Sequence, residues 1–372
     1  MKRLTNAGLV IAILPFLSLG AGSRVAVQQL DAMLVAARSA GSSDEKTADK
    51  IAHLDLKERL TRATLARLAS GVGEHTAAAL ELLADRSAFL DPPAAEIAPG
   101  EPPSPAEQRA IVETAAAYAL AYTRELPNIV CSRIVSRFDD LGVHSYGQLS
   151  LRDTLAGEWT VRGGAESFQT QNAGLVTERA NLAAETGRGF QGLTTSGEFG
   201  SILAEPFAGH ASFAWRRWET LGGKRVAVVW YSLPQQGSLF SLSWCCLDRE
   251  LGSKRLSQRA AHEGEMSIDP DSGAILRVTQ HAVDLPKGFP IKQAWTVVEY
   301  QPVTLAGRSF LLPARSLSFT DALPPAFVSS LPGALWRPAV TYDHEHYLNR
   351  LEFRNYRKFA AESSLVFGSE PE

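Results

Sequence analysis

At Leu126–Pro127 the hydrophobic period of this chain changes from that of a helix to that of a strand, and it stays so, with one interruption, to Phe359. β-branched and aromatic residues alternate with polar ones in runs of strand length. Strands are expected at Asn128–Phe138, Glu158–Gln169, Ala211–Glu219, Lys224–Ser232, Leu239–Cys246, Glu263–Ile268, Ala274–Ala282, Ile291–Tyr300, Leu311–Phe319 and Tyr347–Phe359. No helix-length pattern separates most of them, which excludes a parallel βαβ arrangement and predicts an antiparallel sheet. Gly222–Gly223 and Asp269–Pro270–Asp271–Ser272–Gly273 have the composition of hairpin turns. Gly197–Phe207 reads as a short helix carried on the sheet.

The residues ahead of that switch are organised differently. Val27, Leu30, Met33 and Leu34 recur at helix spacing, as do Leu60, Thr64, Leu65 and Leu68. Ser42 and Glu45 are spaced as a capping box, and Gly71 and Gly73 break the chain before a helix through Leu80 and Leu83. Residues 24–90 are therefore a small all-helical module. Its helices are too short to hold in water alone, so they must pack on one another or on the sheet. Residues 91–104, with Pro105 following, carry most of six closely spaced prolines and form a stiff linker. Ser104–Pro105–Ala106–Glu107 then starts a helix: Ser at the N-cap, Pro at the first helical position, Glu reaching back. Its apolar stripe is Ile111, Ala115, Tyr118 and Tyr122, and the β domain it opens runs over 105–365, with a tail at 366–372.

Lys2 and Arg3 precede an apolar stretch from Gly8 to Leu19, after which Ala21 and Ser23 supply the small residues of a peptidase site. Residues 1–23 read as a signal peptide, cleaved after Ser23, so the mature chain is expected in the periplasm or outside the cell. No later stretch has the length of a transmembrane anchor. The net charge of −3, from 37 basic and 40 acidic residues without like-charge runs, excludes a nucleic-acid partner. Three cysteines are too few for a disulfide scaffold, but export permits one bridge, from Cys131 to Cys245 or Cys246.

Four runs carry a resemblance. ALAYTRELPNIVCSRIVSRF passes from helix through Leu–Pro into a strand with one cysteine. GEMSIDPDSGAILRVT is a strand, an Asp–Pro turn and a strand. VTLAGRSFLLPARSLSF is a hairpin, and LEFRNYRKF closes the domain. Together they resemble exported proteins of bacterial envelopes with the LolA and LppX half-barrel, over roughly residues 105–365. The resemblance implies an α+β fold: a curved antiparallel sheet with a covering helix, here preceded by the helical module. It implies a hydrophobic ligand, lipid or apolar peptide, held in the concave sheet, and it brings no catalytic residues. The helical module lies outside that pattern and reads as a surface for an envelope protein partner.

Candidate chemistry is sparse. No Gly-x-Ser-x-Gly, phosphate-binding glycine loop, His-Glu-x-x-His or Cys-x-x-Cys occurs. Ser43–Lys46 matches Ser-x-x-Lys but is explained by helix capping. In Asp343–His344–Glu345–His346, an extended backbone puts His344 and His346 on one face, where two imidazoles can share zinc. That pattern supplies no third ligand, though His262, Glu263 and Glu265 are within the chain's means. Asp269, Asp271 and Gly273 lack the distal oxygens of a calcium loop and are a turn. The strongest signal is aromatic. Phe213 with Trp215, Val228 with Trp230, then Trp244 and Trp295, mark an apolar sheet face that either fills a core or lines a ligand groove. The sequence thus predicts no cofactor and no catalytic set, and an envelope protein that binds an apolar ligand. A non-enzymatic assembly factor is the second reading. A metal-dependent hydrolase at His344 and His346 is the third.

Overall fold

The computed structural model describes residues 23–140, 148–163, 165–170, 176–177, 197–244, 256–323 and 344–359. The proposed signal peptide, apart from Ser23, and the tail at 366–372 lie outside the described residues.

A short strand β1 (Ser23–Val25) opens the helical region and pairs in parallel with β2 (Leu54–Leu56). Around this pair lie α1 (Val27–Ser39), α2 (Asp44–Ala52), α3 (Arg62–Ala69) and α4 (Glu74–Ser87). The cap of α2 is Ser43, one residue later than the sequence spacing indicates, with its hydroxyl accepting from the Lys46 amide at 3.4 Å. This hydrogen bond accounts for the Ser-x-x-Lys match. Leu30, Leu34, Ile51, Leu56, Leu65, Leu80 and Leu83 close a core of the module's own. At about 1.5–3 kcal/mol per fully buried aliphatic side chain, that core supplies what propensity alone cannot.

The long helix α5 (Pro105–Glu125) has the predicted start. The Glu107 carboxylate accepts from the Ser104 amide at 2.7 Å, and the Ser104 hydroxyl accepts from the Glu107 amide. From Leu126 the chain becomes strand: β3 (Ile129–Asp139), β4 (Ser150–Arg162), β5 (Ala165–Thr170) and β6 (Val176–Thr177). A short helix α6 (Ser201–Ala208) leads into β7 (Ser212–Leu221) and β8 (Lys224–Leu233). After them come β9 (Ser241–Trp244), β10 (Leu256–Arg259), β11 (Ala261–Ile268), β12 (Ile275–Val283), β13 (Ile291–Leu305), β14 (Arg308–Ala322) and β15 (Glu345–Lys358). Apart from β9 and β10, which pair with each other, these strands form one antiparallel sheet in the order β6-β5-β4-β3-β15-β14-β13-β12-β11-β8-β7. The fold is α+β, with a covering helix, as the period change requires.

Turn chemistry sets the hairpins. Leu221 pairs with Lys224 across Gly222 and Gly223, whose φ angles of 59° and 80° are those of a type I′ turn. At Asp269–Gly273 the Asp269 side chain accepts from the Asp271 amide at 3.0 Å, and the Gly273 amide closes on the Asp269 carbonyl at 2.9 Å. The segment Glu158–Gln169, expected as one strand, is instead a hairpin of β4 and β5. Gly163 turns the chain there at a φ of 56°. The strand β10 was not anticipated, since its four polar-rich residues lack an apolar run.

One face of the sheet is covered by α5 and α6. Ile111, Ala115, Ala119 and Tyr122 pack there on Ala227, Val229, Tyr231, Met266, Val278 and Val298. The opposite face carries the helical module. Leu82 and Phe89 pack on Trp295, Phe319 and Leu348, and Ala88 on Val297 and Leu317. Residues 91–104 join the two layers by passing round the β7 edge, where the Glu101 carbonyl accepts from the Trp218 indole at 2.9 Å. No helix of the described residues is long and apolar enough to cross a membrane.

Candidate ligand site at the sheet edge

Antiparallel register aligns side chains in rows across the sheet, and on the module face two such rows define a floor. Ala214, Trp230, Glu265, Thr279 and Val297 form one row, and Glu263, His281, Trp295 and Phe319 the next. Phe89, Leu90 and Asp91, where the module gives way to the linker, roof this floor from Trp295 and Phe319, under Phe89, to Arg217 of β7, which pairs with Asp91. Between roof and floor is a cavity of about 340 Å³ lined also by Trp215, Arg216, Gly264 and Arg277. Gly264 is needed because a Cβ there would stand 1.8 Å from the Thr279 carbonyl oxygen.

Buried ion pairs hold the roof in place. Asp85, fully buried at the end of α4, pairs with Arg315, and its other oxygen accepts from Arg350 Nε at 2.5 Å. Arg59 pairs with Glu219 of β7, and Arg277 donates to the Ala88 carbonyl. Arg217 bridges Glu219, Glu265 and Asp91. Removing one partner from such a network costs far more than the pair contributes, because the remaining charge stays buried.

The cavity combines aromatic walls with buried nitrogens that make no hydrogen bond, although Arg277 Nε has the Glu299 carboxylate 3.8 Å away. Trp295, Arg277 and His281 are 7%, 3% and 8% exposed, and Trp295 Nε1, Arg277 Nε and His281 Nδ1 make no hydrogen bond among the described residues. The His281 ring stacks on Trp295 at 3.7 Å, with Glu263 3.7 Å from its Nδ1. Buried nitrogens of this kind are nearly always satisfied, and each unmet one costs about 1–3 kcal/mol. Burial would raise the Glu265 carboxyl, but Arg217 and Arg216 outweigh it and hold the acid below its ordinary range. Burial, with Arg59 adding to it, lowers Arg277 to about 10. The site thus offers aromatic surface together with hydrogen-bond donors.

A second cavity, of about 430 Å³, lies on the other side of the same edge strand. Pro105, Gln108, Arg109, Val112 and Glu113 of α5 face Phe213, Trp215 and Val229 there. Ala214 and Trp215 line both cavities.

The expected aromatic set is divided by this geometry. Trp215 pairs with Val229 and Phe213 with Tyr231, on the α5 face, whereas Trp230 pairs with Ala214 on the module face. The expectation that Trp215 and Trp230 share a face is therefore corrected, because the strands are offset by one residue. Trp215, Trp230 and Trp295 still meet around the first cavity, since Trp215 stands at the edge. Phe213 belongs to the second cavity, and Val228 lies fully buried beside Trp230's row. Trp244 packs with Tyr347, Phe240 and Phe289 in a separate cluster. Phe89, Arg277, Thr279 and His281 were not anticipated. Only the glycine in the middle of β11 signalled a close approach there.

The histidine pair is committed elsewhere. His344 Nδ1 is 2.5 Å from Asp321, and His346 Nδ1 is 2.6 Å from Asp140. Asp321 also stands 4.0 Å from His346 Nε2, and no group of three or more metal-ligating side chains is found among the described residues. Asp343 lies outside them. Ser238, His262 and Glu205 have the composition of a hydrolytic triad, with Ser238 Oγ 3.0 Å from His262 Nδ1. All three are buried, and His262 Nε2 is 3.9 Å from Glu205, so they form a sealed polar cluster and not a nucleophile site. Cys131 is a buried thiol among Ile129, Val135, Trp159 and Val161. Its candidate partners Cys245 and Cys246 lie outside the described residues.

No protein-family model and no curated protein sequence matches this chain. Among solved structures, it is distantly similar to a LolA superfamily protein from Nitrosomonas europaea, at 8% identity and a TM-score of 0.29, over 68% of this chain and 94% of that one. It is also similar to MucB, at 11% identity and a TM-score of 0.22, over 69% of this chain and all of that one. A Pseudomonas aeruginosa MucA/MucB complex matches at 9% identity and a TM-score of 0.21, over 67% of this chain and all of the matched one. What the site binds has to be argued from its own residues.

Proposed function

We propose that this chain is an exported, non-catalytic binding protein of the cell envelope, and that the cavity under Phe89 holds an apolar ligand. The observation that carries the reading is a cavity of about 340 Å³ walled by Phe89, Trp215, Trp230 and Trp295, with the buried Trp295 indole nitrogen making no hydrogen bond among the described residues. Apolar burial there gains about 0.8 kcal/mol per methylene, and the Trp295 indole N–H suits a ligand that carries an acceptor oxygen. In this reading residues 24–90 serve as the roof and residues 91–104 as the strap that fixes it. The N-terminal pattern of residues 1–23 supports export to the periplasm or beyond.

The test is titration of the mature protein with a fluorescent fatty acid, which offers an apolar body and a carboxylate. Saturable binding is expected. Trp230→Ala should weaken it about tenfold, the loss of roughly 1.4 kcal/mol of apolar contact, without a matching loss of thermal stability. Absence of saturable binding by the wild type, or identical affinity in Trp230→Ala, overturns the reading.

A further inference from the structure

We propose that the open half of the edge strand β7, with the cavities on its two sides, is a docking groove for an extended peptide segment of a partner protein, which adds to the sheet as a strand beside Ser212–Trp215. This deepens the ligand reading and rests on the cavity under Phe89 being a binding site.

The two ends of the sheet differ. The β6 edge is two residues long, whereas β7 runs for ten and pairs on one side only, with β8, among the described residues. An edge strand of that length presents unpaired N–H and C=O groups and invites another strand, unless it is blunted. The far half of β7 is blunted. A bulge between Trp215 and Arg217 breaks the register there, Arg216 and Arg217 stand in the bulge, and the proline-rich strap crosses at Trp218. The near half, Ser212–Trp215, carries none of these devices.

Along the same four residues the two cavities meet, one on each face of the sheet, sharing Ala214 and Trp215. A strand laid against this edge directs successive side chains to opposite faces. One side chain therefore enters the cavity under Phe89 and the next enters the cavity against α5. In this recognition mode main-chain hydrogen bonds give affinity and alternate side chains give specificity. The chemistry of the two cavities differs. At the edge the module side presents Trp215 and Trp230 beside the guanidinium of Arg216, so it suits a side chain with an aliphatic stem and a terminal oxygen. The α5 side, with Val112, Phe213 and Val229, suits an apolar one.

The experiment selects displayed random decapeptides on the full mature chain. Enriched peptides should alternate apolar with oxygen-ended side chains, and hydrogen exchange should show the amides of 212–215 protected when a peptide is bound. N-methylation at alternate peptide positions should each cost about tenfold in affinity, the loss of one or two main-chain hydrogen bonds, with the intervening positions unaffected. Val112→Trp, which fills the α5-side cavity, should weaken the peptide and leave fatty-acid binding unchanged. A protein that binds the fatty acid but enriches no peptide keeps the ligand reading and loses this one. Peptide binding that leaves residues 212–215 unprotected, or that tolerates every N-methyl position, also overturns it.

Discussion

Replacing Asp85 by Ala tests how the roof of the cavity is held. Asp85 is fully buried and serves as the shared anion for Arg315, 5% exposed, and Arg350. Its removal leaves two guanidiniums facing each other in a dry interface, a change that costs about 3–5 kcal/mol in comparable buried networks. With an unfolding entropy of about 2.1 cal/mol/K per residue over roughly 300 ordered residues, that loss lowers Tm by about 5–8 °C. Because Phe89 lies just past the end of α4, which Asp85 anchors, fatty-acid affinity should fall as well. Calorimetry of the mature protein measures the first effect and fluorescence titration the second. A triple variant, Asp85→Leu with Arg315→Met and Arg350→Met, should recover most of the Tm, since it removes all three charges together. An Asp85→Ala protein that melts within a degree of wild type refutes the buried-triad account, as does a triple variant no better than the single one.

His262 and Cys131 give two more tests. Burial lowers the His262 pKa from 6.5 to about 4, so the unfolded state binds the extra proton first, and stability is complete above pH 6.5 and lost as the pH falls towards 4. Burial raises the Glu205 carboxyl and so works in the opposite direction, which makes the useful quantity the difference between wild type and His262→Asn. Wild type should lose about 3 kcal/mol relative to that variant between pH 7 and 4, and a pH-independent difference would contradict the assignment. The Cys131 thiol, 1% exposed, is pushed up to about 12 by burial. It should resist iodoacetamide at pH 8 in the native protein and react after denaturation. Native labelling of Cys131, detected by peptide mass mapping, would show that its site opens.

The elements were legible because their causes are local. The period change at Leu126–Pro127, the Ser104–Glu107 cap and the Gly222–Gly223 turn each depend on neighbours within a few residues, and each produced the element expected of it. Errors within this level were also local, such as the cap at Ser43 and the hairpin hidden at Gly163.

The site was not legible, for two reasons of a different kind. Alternation assigns residues to a face within one strand, but only inter-strand register relates the faces of two strands. A one-residue offset between β7 and β8 therefore sent Trp215 and Trp230 to opposite sides. The Gly222–Gly223 turn by itself would set Trp215 opposite Trp230, and the bulge at Arg216 shifts the register by one residue. The roof is equally non-local. Asp85 meets Arg350 across 265 residues of chain and Arg59 meets Glu219 across 160, so a module that reads in sequence as a separate addition becomes, in three dimensions, one wall of the cavity. Sequence period determined which segments become helix or strand. Long-range burial of charge and aromatic surface decided which of their side chains share a site.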